Sequence, residues 1–121
     1  MDLDKAIAAH SQWRLTLRQA LTNSEKLDVA KIGADNCCDL GRWLHGDAKT
    51  QCGALPAYKD VVTTHAAFHR EAGQVAQKIN AGEKNGAISA LGQGTAYDAA
   101  SANVVRAIGA LKFALKQQKV A

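Results

Sequence analysis

His65 and His69 lie four residues apart in VVTTHAAFHREA, a stretch that reads as helix. On an α-helix, positions i and i+4 share a face roughly 6 Å apart, so two imidazoles there can hold one metal ion between them. The rest of that stripe is apolar: Val61, Val62, Phe68, Ala72, Val75 and Ile79. An imidazole turned toward a core must find a partner or remain an unmet polar group. A metal ion is one such partner, and the chain offers two more donors for it. His10 falls on the apolar stripe of an earlier helix, three residues before Trp13, and Cys38 stands near the start of a short one. Zinc takes four tetrahedral ligands from these donor types. His10, Cys38, His65 and His69 would form a His3Cys set drawn from three helices and cross-linking them from within. For each histidine singly, a satisfied core residue is the rival reading. The spacing leaves both open, since there is no compact CxxC knuckle.

The other polar candidates fit less well. On a helix Cys37 points about 100° away from Cys38, so only one of the two can face the site. Cys52 falls in a loop as a bystander. His45 follows Cys38 by seven residues, about 10 Å along nearly the same face, too far to join one tetrahedron. It reads as a pH-sensitive rim residue. Trp13 and Trp43 read as core residues that keep the site dry. Asp35 reads as the N-cap of the short helix, with support of a metal ligand as its other role. No catalytic residue is assigned. HAAFH lacks the Glu of a metalloprotease helix, and Glu71 lies two residues beyond His69 on another face. The Glu-x-x-His pairs of a di-iron bundle are absent.

Four elements must position these side chains. A first helix over about 2–22 carries the stripe Leu3, Ile7, His10, Trp13, Leu17 and Leu21. Residues 25–34 have no clean period and read as a connector. A short helix runs from Cys37 to about His45 and ends at Gly46, followed by a loop over GDAKTQCGAL. Pro56 opens a third helix over about 56–80. A fourth spans about 84–118, with Ile88, Leu91, Thr95, Ala99, Ala102, Val105, Ile108, Leu111 and Leu115 as its buried stripe. The expected fold is all-α: an antiparallel four-helix bundle with one short helix followed by a long loop, a single domain over 1–121.

The bulk properties agree with that. A chain of 121 residues, 47% hydrophobic and 21% charged, supports one real core. No run of about 18 apolar residues is present, so no membrane insertion is expected. The opening MDLDKAIAAH reads as helix and not as a signal peptide. The net charge is +4, but the basic residues do not cluster, which argues against nucleic acid as a partner. Three cysteines without a signal peptide argue against a disulfide framework and for a cytoplasmic location. There, a cysteine near histidines reads as a ligand or a reactive thiol.

Three pieces of the sequence together carry a family resemblance. They are His10-Ser-Gln-Trp13, then Cys38-Asp-Leu-Gly-Arg-Trp43-Leu-His-Gly46, then His65-Ala-Ala-Phe-His69. In order and spacing they resemble the chemoreceptor zinc-binding domain, with its HxxW, CxLGxWLxG and HxxxH motifs. The resemblance covers about residues 2–118, and Asp35 is similar to the family's acidic position. It implies that His10, Cys38, His65 and His69 bind Zn2+. It implies a helical, cytoplasmic regulatory domain of bacterial signal transduction, with a chemoreceptor or diguanylate cyclase as partner in cis or in trans, and some members that form homodimers. Family members are implicated in sensing zinc and hypochlorous acid. Two departures stand out: no signalling domain is visible in this chain, and Cys37 adjoins the motif cysteine. A redox-responsive Cys–Zn centre is the expected mechanism, with a purely structural zinc module as its rival.

Overall fold

The structure is a computed structural model and describes residues 1–120; Ala121 of the expected domain lies outside them. The described residues form seven helices and no strand: α1 Leu3–Thr22, α2 Val29–Gly33, α3 Asp39–His45, α4 Asp47–Cys52, α5 Pro56–Asn80, α6 Lys84–Ala90 and α7 Ala96–Val120. The all-α expectation holds.

Three long helices set the frame, and their directions follow from the ion pairs. Asp4 on α1 meets Lys112 on α7 at 2.7 Å, and Arg14 meets Asp98 at 2.7 Å, so α1 and α7 run in opposite directions. Asp60 on α5 meets Arg106 at 3.4 Å, and Phe68 packs on Tyr97, so α5 also opposes α7. These exposed pairs fix direction more than they stabilise. Stability comes from the shared core, where Leu17, Leu40, Leu44, Val61, Phe68, Val104, Ile108 and Leu111 are fully buried.

The short elements differ from expectation in three places, each for a local reason. The connector over 25–34 contains α2, which starts because the Asp28 carboxylate accepts the Lys31 N–H at 3.1 Å. The loop over 46–55 contains α4, seated by the buried Ala48 and Cys52. The expected fourth helix is two helices. Gly94 adopts φ +78°, which only glycine takes readily, and Thr95 then restarts the chain. Its hydroxyl donates to the Gly92 carbonyl at 2.8 Å and accepts the Asp98 N–H at 3.2 Å, while the Asp98 carboxylate accepts the Gly94 N–H at 2.9 Å. These bonds cap α7 and stop α6 from running into it.

Two fastenings hold α2 against α5. At one end the Asn80 side chain accepts the Leu27 N–H and donates to the Leu27 carbonyl, both at 2.8 Å. At the other, Gly33 and Gly73 bring the two backbones together. A Cβ on Gly73 would stand 2.9 Å from the Gly33 Cα, whereas one on Gly33 would meet the Gly73 Cα at an ordinary 3.7 Å. Gly73→Ala should therefore cost about 1–3 kcal/mol of stability, as overpacking does, and Gly33→Ala much less. Urea unfolding checks this: the Gly73 variant should show a lower midpoint at an unchanged slope.

Candidate metal centre

His10 is buried at 2% exposure on α1, and His65 at 0% and His69 at 2% on α5. Two of the three rings are fixed by backbone carbonyls. His10 Nδ1 lies 2.8 Å from the Ala6 carbonyl oxygen, and His69 Nδ1 lies 2.8 Å from the Ile32 carbonyl oxygen. A carbonyl only accepts, so each Nδ1 carries the proton and each Nε2 presents a bare lone pair. Ile32 belongs to α2, so the helix that sequence periodicity missed is the one that aims His69.

The bare nitrogens converge on a sulfur. His65 Nε2 is 3.0 Å from His69 Nε2, and Cys38 Sγ is 3.2 Å from His65 Nε2 and 3.6 Å from His69 Nε2. His10 stands against both rings of α5, its centroid 5.0 Å from that of His65 and 5.5 Å from that of His69. One donor atom from each of His10, Cys38, His65 and His69 lies within 4.8 Å of all the others. In a zinc tetrahedron with Zn–N about 2.0 Å and Zn–S about 2.3 Å, ligand atoms stand roughly 3.3–3.6 Å apart. The contacts among Cys38, His65 and His69 sit close to that.

Donor chemistry supports the fit. His10 Nε2 and His65 Nδ1 are buried without a hydrogen-bond partner. Desolvating a polar nitrogen without a partner is costly, and a metal ion removes that cost at His10 Nε2. Burial, the first cause, pushes His65 down to about 3, helped by repulsion from His69, His10 and His45. Burial also lowers His10 and His69, against the pull of the carbonyls they donate to. All three are therefore held neutral, the form that binds metal. Burial raises the Cys38 thiol, partly offset by backbone N–H groups that favour the thiolate, the Gly41 N–H foremost. A bound cation would reverse the balance at sulfur.

The short helix is built differently from expectation. Asp35 does not cap it, and Cys37 and Cys38 are not inside it. Cys38 is the N-cap: its sulfur accepts the Gly41 N–H at 3.3 Å. The Asp35 carboxylate instead reaches His45 Nε2 at 3.2 Å, and its charge also favours protonation of His69. His45 thus lies outside the cluster, as its spacing requires. Gly41 permits this loop, because a Cβ there would collide with the Asp35 carbonyl. Phe68 and Trp13 wall the site, with ring centroids 5.3 Å from His10 and 6.5 Å from His69. Trp43 packs half-buried against the core from α3, as Trp13 does from α1; neither is fully enclosed. Cys52 is buried in the core on α4.

The chemoreceptor zinc-binding domain profile matches residues 10–76, a span that takes in all four donors. The chain belongs to the chemoreceptor zinc-binding domain family. Zinc is accordingly its metal, and the His3Cys cluster lies at metal-binding distance. No curated protein and no solved structure matches the chain significantly. Among the described residues, no helix is long and apolar enough to cross a membrane. Ile32 is the functional position that sequence reasoning missed; Gly41 was read as part of the CxLGxWLxG motif but without its task in the loop. The Asp28-x-x-Lys31 start of α2 was the available signal for the first.

Metal-free protein should show a definite pH response. The folded chain holds His10, His65 and His69 below the unfolded value, so the unfolded chain binds more protons in acid. Stability is thus full above about pH 6.5 and falls as pH drops toward about 3, the value of folded His65. Thermal melts of chelated protein across that range should show a falling midpoint, and zinc-loaded protein a shallower fall.

Proposed function

We propose that this chain is a zinc-binding sensory module of cytoplasmic signal transduction. In this reading His10 Nε2, Cys38 Sγ, His65 Nε2 and His69 Nε2 hold the ion. The carrying observation is the convergence of three neutral, buried imidazoles on one sulfur, with two rings pre-aimed by backbone carbonyls. Bound zinc would keep Cys38 as thiolate, the form that oxidants attack.

The chain's own residues supply the response. Cys38 Sγ is at once a donor in the cluster and the cap of α3. Oxidation of that sulfur weakens both roles together. Leu40 and Leu44 keep the body of this seven-residue helix in the core, so the part that shifts against a partner is its uncapped first turn with the cysteine loop. Asp35 holds the far end of α3 through His45, and so ties the cysteine loop to the helix end. The partner is a receptor or cyclase signalling domain, in cis or in trans, or a second copy of the chain. The module is not an enzyme in this reading, because four protein ligands fill the zinc shell.

A purely structural zinc module is the second reading, favoured by that same closed shell. Cys38→Ser separates the two. A folded variant that no longer responds to zinc or oxidant supports sensing; a variant that unfolds supports structure.

Metal content of protein purified without added metal tests the site itself. Wild type should carry one zinc per chain, and His65→Ala/His69→Ala should carry none. Zinc-free wild type that is fully helical would return these histidines to the core.

A further inference from the structure

Cys37 and Cys38 both line one surface cavity of about 540 Å3 beside the metal centre. His10 forms part of its wall, and Lys5, Lys31 and Arg42 stand around it. Arg42 is already paired with Asp39 at 2.5 Å, while Lys5 and Lys31 have no ion pair among the described residues. Were residues 37–38 helical, the two sulfurs would point about 100° apart and could not share a cavity. They are not helical: both residues lie in a bend ahead of α3, with Cys38 at φ −81° and ψ 166°. Cys37 is half-buried, and its thiol makes only a long contact, 3.5 Å, to the Asn36 side-chain oxygen. It takes no part in the four-donor cluster. It is a thiol adjacent to the reactive sulfur, open to the same cavity, with no structural task to lose.

We propose that Cys37 is the resolving thiol of this centre: it captures oxidised Cys38 as a Cys37–Cys38 disulfide. The proposal rests on the reading of Cys38 as the oxidant-sensitive donor. With a hydroperoxide as oxidant the steps balance. The Cys38 sulfur, having given up its proton, attacks one peroxide oxygen. The S–O bond forms, the O–O bond breaks, and the departing hydroxide takes up that proton as water. The Cys37 sulfur then attacks the Cys38 sulfur. The S–S bond forms, the S–O bond breaks, and hydroxide leaves with the Cys37 proton as a second water. Two thiols lose two electrons and one peroxide gains them.

Neighbouring Cα atoms are about 3.8 Å apart, short of the ~4.4 Å lower limit usual for disulfides. The bond is therefore strained and easily reduced, so the centre resets under mild thiol and is protected from irreversible oxidation. Formation of the bond also takes the cap from α3, because the bonded sulfur must turn toward Cys37.

Peptide mapping of zinc-loaded full chain after one equivalent of hydrogen peroxide tests this. Trypsin releases residues 32–42, which contain both cysteines, apart from residues 50–59, which contain Cys52. Wild type should yield the 32–42 peptide lighter by two hydrogens, returned to its original mass by dithiothreitol. Cys37→Ser should instead yield it with one to three added oxygens, the higher states resistant to reductant. If wild type also gains oxygen without losing hydrogen, the resolving role is overturned while the sensitivity of Cys38 stands. If neither protein is oxidised at 32–42, the proposal falls together with the oxidant-sensing reading it rests on. A bridge from 32–42 to 50–59 would assign the role to Cys52 and overturn it as well.

Discussion

Everything in this structure answers to the burial of three imidazoles in one apolar core. Each ring brings two nitrogens out of water, and each nitrogen needs a partner there. Backbone carbonyls satisfy the outer nitrogens of His10 and His69. The inner ones face each other and the Cys38 sulfur, and carbonyls cannot serve them, because a bare nitrogen and a carbonyl oxygen are both acceptors. A cation can. The same burial keeps the rings neutral, so the cost of enclosing them and their readiness to bind metal have one origin.

That constraint explains why so small a helix as α2 exists. A five-residue helix has almost no stability of its own. It is held by Asp28 at its start, by the Asn80 side chain, and by the Gly33–Gly73 approach. Their joint effect is to bring the Ile32 carbonyl to His69. On α1 the corresponding carbonyl, that of Ala6, is one turn before His10 and comes with the helix itself. His65 has neither, and its outer nitrogen remains without a partner. It is also the ring pushed down furthest among the three, to about 3. Its orientation therefore depends on its neighbours more than theirs does on it.

The three histidines of the cluster were legible because their signal is a contradiction: polar residues on stripes otherwise made of Val, Leu, Ile and Phe. Long-range periodicity exposes such a contradiction, and the long helices α1 and α5 carry it over 20 and 25 residues. The short elements were illegible for the converse reason. Five to seven residues do not complete two turns, so α2, α4 and α6 leave no period to read. Their starts are decided by single capping bonds. The Asp28, Cys38 and Thr95 caps each compete in sequence with nearby residues of similar type, and Asp35 was the more ordinary choice over Cys38. The break before α7 was similarly hidden, since Gly92 and Gly94 also suit a helix that packs closely against its neighbours.

Displacement of the cap from Asp35 to Cys38 has the largest consequence for chemistry. A carboxylate cap would have left the sulfur on a helix face, held only by its metal. With sulfur as the cap, one atom joins the cluster to the start of α3 and to the Gly41 N–H. Any change in that atom's charge, bonding or direction is felt by the helix at once. The released carboxylate is free to hold His45 at the other end of the same helix. The short helix is thus tied at its start by sulfur and at its end by the surface Asp35–His45 pair, with Leu40 and Leu44 seated in the core between them. The exposed pair is the weaker tie, worth little in water. Of these ties the sulfur is the one whose bonding a metal ion changes, so the metal centre and the start of α3 share one atom.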